Sequence, residues 1–263
     1  MTVIPFTKAH AAENDFVLTW GASIEAPDLP QIARRICSRS TGVGADGWML
    51  VSNEEQELRT RLFNSDGSEP ELSGNGIRCA AAFALHAGVL DGPKIPVTTG
   101  VGNRTARLIS RDGNSFRFEV DMGLPKTEEI RRTMKLAGSD FDATILNVGN
   151  PQCVIFVNEF PENWRVIAAE AERHDLFPAR TNVAFVRTNN PHAIDALFFE
   201  RGAGATKSSG TGSTGAATAA ILRGVAESPV EISTPGGKLF LRWDESVFLT
   251  GPAEIVAEGK FFL

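Results

Sequence analysis

The chain has 263 residues, 42% of them hydrophobic and 22% charged, which is enough apolar material for a proper core and excludes a disordered segment. Its net charge of −6 argues against a partner that must be neutralised by Lys and Arg, so nucleic acid is not expected. Three cysteines without a C-x-x-C pair give no disulfide framework and fit a reducing cytoplasm. The N-terminal residues lack a basic stretch followed by an apolar run, and the apolar stretches at 80–85 and 216–222 are too short to span a bilayer. Neither export nor membrane insertion is expected.

Along the chain, the pattern predicts a helix at 29–37, a Gly-rich loop at 41–47, and strands at 48–51 and 58–64. A helix over 75–87 follows Ser73-Gly74, and strands follow at 116–122, 143–149 and 153–157. Next come a helix at 165–174, strands at 182–186 and 196–200, and a helix over 213–224 that follows a Gly-Thr-Gly. Strands at 230–234, 239–243 and 247–251 close the series. Many strands, few helices and no regular βαβ alternation indicate an α+β fold.

An internal repeat governs the domain organisation. FNSDGSEPELSGNGIRCAAAFAL (63–85) and FERGAGATKSSGTGSTGAATAAI (199–221) each read as strand end, loop, Ser-Gly-x-Gly and Ala-rich helix, offset by 136 residues. The same offset carries Asn14 onto Asn150 and Asp46 onto Asn182. Two homologous halves are therefore expected, residues 1–113 and 114–263, with the boundary at the polar stretch 111–116 and an active-site cleft between them.

A helix N-terminus offers unpaired N–H groups and the positive end of the helix dipole, so it binds a carboxylate without a basic side chain. If both Ser-Gly starts serve one bound anion, Ser73 and Ser209 flank the same carbon. That arrangement suits removal of a proton from one side and its return from the other. Taken singly, each Ser reads as an ordinary N-cap; taken as a symmetric pair with accompanying Asn residues, they read as functional.

Other motifs carry less. Gly42-x-Gly44-x-x-Gly47 follows a helix and enters a strand, the reverse of a dinucleotide fingerprint, and is read as a plain loop. Gly210-x-Gly212-x-x-Gly215 has the right order but lacks a surrounding parallel βαβ series, so a nicotinamide enzyme is the weaker reading. No Gly-Lys-Ser/Thr is present for a phosphate loop. The four scattered His residues (His10, His86, His174, His192) offer no zinc spacing, so no metal is expected. Cys79 and Cys153 read as small buried hydrophobes.

Nine blocks in order, including FTKAHAAENDF (6–16), FNSDGSEPELSGNGIRC (63–79), NVGNPQCVIFV (147–157), RTNVAFV (180–186) and ERGAGATKSSGTGSTGAA (200–217), resemble the diaminopimelate epimerase family. The resemblance implies two pseudo-symmetric halves, each a curled mixed or antiparallel sheet around a central helix. It also implies cofactor-independent inversion at the α-carbon of an amino acid, on the route to lysine and cell-wall peptidoglycan. In that reading Gly74, Asn75, Gly210 and Thr211 hold the α-carboxylate by their N–H groups. Asn14, Asn64, Asn150, Asn182 and Arg201 hold the substrate, with Asn64, Asn182 and Arg201 toward its distal end, and Glu200 supports one catalytic group and contacts the distal ammonium.

The chain departs from the family pattern at the acid and base. Ser73 and Ser209 stand where the family has Cys, Gln152 stands where it usually has His, and Ala205 and Lys207 replace an acidic and an apolar residue. A thiol is poised as thiolate at a helix N-terminus, whereas a hydroxyl needs an adjacent base. Three readings follow: an epimerase that works through hydroxyls or is impaired by them; an isomerase or dehydratase for another amino acid, with Lys207 as base; and an amino-acid-binding module without catalysis. For Lys207 a solvated loop residue is the preferred reading. The expected partner is a small diaminopimelate-like amino acid, with no cofactor, no nucleic acid and no membrane, and a homodimer is the one assembly considered.

Overall fold

Two Ala-rich segments without a polar face form the centre of the architecture, and such segments are stable as helices only where they are surrounded. In the computed structural model, which describes residues 3–24 and 28–263, the chain divides into two units, Met1–Val120 with Gly251–Leu263, and Asp121–Thr250.

The first unit contains strands β1 (Val3–Ala11) and β2 (Asn14–Trp20), helix α1 (Leu29–Cys37), and strands β3 (Gly47–Glu54) and β4 (Glu57–Asn64). Helix α2 (Gly74–His86) and strands β5 (Lys94–Thr99), β6 (Gly102–Asp112) and β7 (Ser115–Gly123) follow. The second contains β8 (Lys126–Leu136), β9 (Ser139–Asn147), β10 (Pro151–Phe156), α3 (Trp164–Glu172), β11 (Asn182–Asn190), β12 (Ala193–Glu200) and β13 (Gly204–Thr206). It continues with α4 (Gly210–Leu222), β14 (Val230–Thr234), β15 (Gly237–Trp243) and the start of β16 (Val247–Phe262).

The repeat read from sequence recurs in the elements. β1, β4 and α2 reappear as β9, β12 and α4 with both ends displaced by 136 residues. In each unit the sheet is mixed: β2–β3 and β4–β5 are parallel, as are β10–β11 and β12–β14, and antiparallel pairs lie between them. A parallel pair needs a crossover, and the four helices supply the four crossovers.

Helix α2 is buried along all but its last residue and packs against β1, β2, β4, β5 and β6. Helix α4 likewise packs against β9–β12, β14 and β15. Alanine dominates both helices because only a thin helix lets a curled sheet close around it. The other helix of each unit is one-faced. Ile32, Ala33 and Ile36 of α1 join Ile4, Trp48 and Phe63, and Ile167, Ala168 and Ala171 of α3 join Ile155 and Phe185. Burying each Ile contributes about 1.5–3 kcal/mol.

The polar stretch 111–116 is not a linker. It is the tip of a hairpin in which Arg111 pairs with Phe116 and Asp112 with Ser115, leaving Gly113-Asn114 as a two-residue turn. The units divide instead at 120/121 and at 250/251. Residues 251–263 belong to the first unit because β16 runs antiparallel to β1, from Val3↔Phe262 to His10↔Glu254. The glycines of 41–47 close the end of α1: Val43 N and Gly44 N both donate to Ile36 O. A Cβ on Gly42 would lie 2.2 Å from Arg35 O, so only glycine fits there.

Candidate active site

The candidate residues fall into two groups, one in each unit. In the first, Ser73 is the N-cap of α2, and its Oγ accepts from Gly76 N at 3.0 Å. Gly74 and Asn75 are therefore the first two helical residues, where backbone N–H groups lack helical partners. Asn75 Nδ2 donates to Asn14 Oδ1 at 3.0 Å, and Asn14 Nδ2 donates to Asp46 Oδ2 at 2.8 Å. Asp46 is fixed by Arg39 at 2.7 Å, and the same guanidinium grips Asp15 at 2.9 Å, with Lys8 3.1 Å from Asp15. Burial pushes the Asp15 carboxyl up, yet Arg39 and Lys8 more than offset this and hold it below the usual carboxylate value. Asn64 is not brought to the helix start by any side-chain bond; its Nδ2 donates to Ser68 Oγ at 3.0 Å.

In the second unit, Ser209 caps α4 in the same way, with Gly212 N donating to its Oγ at 3.1 Å. Gly210 and Thr211 occupy the positions of Gly74 and Asn75. Asn150 Nδ2 donates to Thr211 Oγ1 at 3.3 Å, which repeats the Asn14–Asn75 contact at the displaced positions. Gln152 Nε2 donates to Asn150 Oδ1 at 2.6 Å, so Gln152 fixes the orientation of the Asn150 amide. Asn182 Oδ1 accepts from Arg201 N at 3.0 Å while its Nδ2 donates to Pro151 O at 3.0 Å. Ser209 Oγ donates to Glu200 Oε2 at 2.8 Å, and Thr206 Oγ1 donates to the other carboxylate oxygen at 2.8 Å.

The last residue of each Ser-Gly-x-Gly lets the helix start come close to the sheet. A Cβ on Gly76 would lie 2.6 Å from Met49 Cε, and one on Gly212 would lie 2.7 Å from the Phe198 ring.

Three residues absent from the sequence-derived site support it. Asp46 anchors Asn14, Thr206 holds Glu200, and Arg78 is a fully buried guanidinium inside α2. Arg78 Nε donates to Pro252 O at 3.1 Å, Nη2 bonds Asn75 Oδ1, and Nη1 has no hydrogen-bond partner among the described residues. Burial lowers this guanidinium to about 10. An Arg in the middle of an otherwise apolar, Ala-rich helix is the signal that would have found it.

The remaining chemistry recedes. Cys37, Cys79 and Cys153 are buried, and burial first of all pushes each thiol up to about 12. Lys207 is exposed, on the loop between β13 and α4. Among the described residues no group of His, Cys, Asp and Glu is placed to hold a metal ion, and no helix is long and apolar enough to cross a membrane.

Two sheet-wrapped helices each open at a capping serine with an Asn bonded to the first turn, and the chain's likeness to known proteins makes it an isomerase of the epimerase class. The fold is shared with a hydroxyproline epimerase from Agrobacterium vitis, at a TM-score of 0.78 and 13% identity, over 99% of this chain and 91% of that one. The family model for diaminopimelate epimerase matches residues 6–128 and 144–256. Diaminopimelate epimerase of Moorella thermoacetica is 39% identical over 97% of this chain and 98% of its own length. That of Desulfitobacterium hafniense is 38% identical over 96% of both. The chain belongs to the diaminopimelate epimerase family.

Proposed function

We propose that the protein moves the α-proton of diaminopimelate, or of a closely similar amino acid, without a cofactor, converting the LL form to the meso form. The observation that carries this reading is the repeated helix start. A Ser-capped N-terminus with its second residue clasped by an Asn occurs once in each unit at positions 136 residues apart. The N–H groups of Gly74, Asn75, Gly210 and Thr211 then receive the α-carboxylate, and the negative charge that develops on deprotonation is spread into that same carboxylate. The unpaired part of the Arg78 guanidinium favours an anion at the α2 start. Asn14 and Asn150 orient the first turns. Asn64, Asn182 and Arg201 take the distal amino-carboxylate end, and Glu200 contacts the distal ammonium while it holds Ser209. Ser73 and Ser209 stand on the two sides of the α-carbon as the proton-transfer groups.

With this activity the protein would act in cytoplasmic synthesis of a lysine and peptidoglycan precursor, with a small amino acid as its partner and no nucleic acid or membrane. The test is incubation with LL-diaminopimelate in deuterated water, following the α-proton by NMR. Loss of the α-proton is the expected result. Measurable binding without any exchange would replace this reading by that of an amino-acid-binding module. The double variant Ser73→Cys/Ser209→Cys is expected to raise the rate of inversion.

A further inference from the structure

The two serines are not equivalent, and the difference has a direction. Ser209 is 1% exposed and its hydroxyl proton is directed to Glu200 Oε2 at 2.8 Å. The position that corresponds to Glu200 in the first unit is Asn64, the last residue of β4 as Glu200 is the last of β12. Asn64 is a neutral amide bonded to Ser68, not to Ser73. Among the described residues the only hydrogen bond of Ser73 Oγ is the one it accepts from Gly76 N. Within α2 the buried charge is the cation Arg78, where α4 has Thr214 at the corresponding position, hydrogen-bonded to Gly210 O. One serine thus has a carboxylate to take its proton and the other has none.

We propose that proton transfer is concentrated on the Ser209 side, so that the enzyme exchanges the α-proton with solvent, with retention of configuration, faster than it inverts the carbon. This rests on the reading that both helix starts act on one bound amino acid. In the step, the α-proton passes to Ser209 Oγ while the Oγ proton passes to Glu200 Oε2, and the Cα–H electron pair moves into the substrate carboxylate held by the helix N–H groups. The neutral Glu200 carboxyl then trades its proton with water. Reversal of the same transfers returns a solvent proton to the same face. Completing an inversion requires Ser73 Oγ–H to break with the Gly76 N–H as its one hydrogen-bond partner and, among the described residues, no carboxylate bonded to it to exchange the proton through. Glu200 is here a positioning residue that acts through Ser209.

The experiment uses the full-length protein in deuterated water with LL- and meso-diaminopimelate in separate runs. Proton NMR reads exchange, chiral chromatography reads inversion, and calorimetry reads binding. General acid–base assistance contributes roughly 10²–10⁴-fold, so exchange from one configuration is expected to exceed inversion by about 10²-fold or more. Glu200→Gln is expected to cut exchange by roughly 10²–10⁴-fold, a larger factor than the weakening of binding that losing the ammonium contact brings, Glu200→Asp to restore part of it, and Ser73→Cys to bring inversion up toward the exchange rate. Inversion that keeps pace with exchange in the parent protein overturns the proposal, and so does undiminished exchange in Glu200→Gln. Should Glu200→Gln fail to fold, the parent ratio of exchange to inversion still decides. Failure of both diaminopimelates to bind would instead sink the functional reading on which this one stands.

Discussion

The two units carry the same scaffold to different chemical ends. The thirteen residues of α2 and the thirteen of α4 begin at the same cap and receive an Asn at the same second position. Around that shared core, the first unit buries a cation, Arg78, and ends β4 in an amide, whereas the second ends β12 in a carboxylate beside its serine. Duplication has kept the cap and the Asn contact in both copies, while the residue that ends β4 and β12 has diverged from an amide to a carboxylate.

The largest effect should come from Arg78. Arg78→Ala is expected to lower stability by about 3 kcal/mol in urea denaturation, because it opens a cavity and strands Pro252 O and Asn75 Oδ1. Thr214→Ala at the matching position removes one hydrogen bond and should cost only about 1 kcal/mol. Equal losses would mean that the first unit does not depend on its buried cation.

Glycine in the helix starts separates the units next. Gly212→Ala drives a methyl into the buried Phe198 ring, which cannot retreat, and is expected to cost about 2 kcal/mol. Gly76→Ala meets the end of Met49, which can swing aside, and the better helix propensity of Ala should keep the change within about 1 kcal/mol. Thermal melts of the two variants side by side check this order, and a reversed order would break it.

The caps should differ less. Ser73→Ala loses one cap bond, worth about 1 kcal/mol. Ser209→Ala loses a similar cap and also takes the hydroxyl from Glu200, so it should fall below Ser73→Ala by about 1 kcal/mol. Chemical denaturation of both variants measures the gap.

Near neutral pH the smallest effects are those of pH itself, and they grow only toward the extremes. All three thiols have folded values near 12 against an ordinary 9.0, so their contribution is intact below about pH 9 and is lost as pH rises toward 12. Asp15 runs the other way: its lowered carboxyl contributes stability above its ordinary 3.8, and that contribution is lost as pH falls through the folded value. Melting temperature against pH should therefore decline at both ends, and Asp15→Asn should flatten the acid limb alone.

Much of this was legible in the sequence. The helix at 29–37 stands as read, and both Ser-Gly helix starts were marked by their glycines, although α2 and α4 begin at Gly74 and Gly210, earlier than 75 and 213. The strands that escaped notice include β6 and β8. In β8 the run Lys-Thr-Glu-Glu-Ile-Arg-Arg-Thr carries charge at most positions and remains largely exposed, so no two-residue apolar period announces it; its pairing with β9 makes it a strand. The turn at 113–114 looked like a linker because a hairpin tip and a domain boundary share the same polar composition. In the site, the serines and asparagines stood out by their repetition. The Asp46 and Arg78 contacts did not, because they join positions 32 and 174 residues apart through the fold.

The course of β16 has a consequence for biosynthesis. Residues 121–250 form a contiguous unit that has all its own strands once they are made. β1, synthesised before all of residues 121–250, has β16, which is completed after them, as one of its neighbours, with Val3 opposite Phe262. Contacts of such sequence separation form late. The first unit must therefore wait for residues 251–262 before its sheet is complete, with one edge of β1 unpaired in the interval, and the unit of residues 121–250 is the first of the two that can fold.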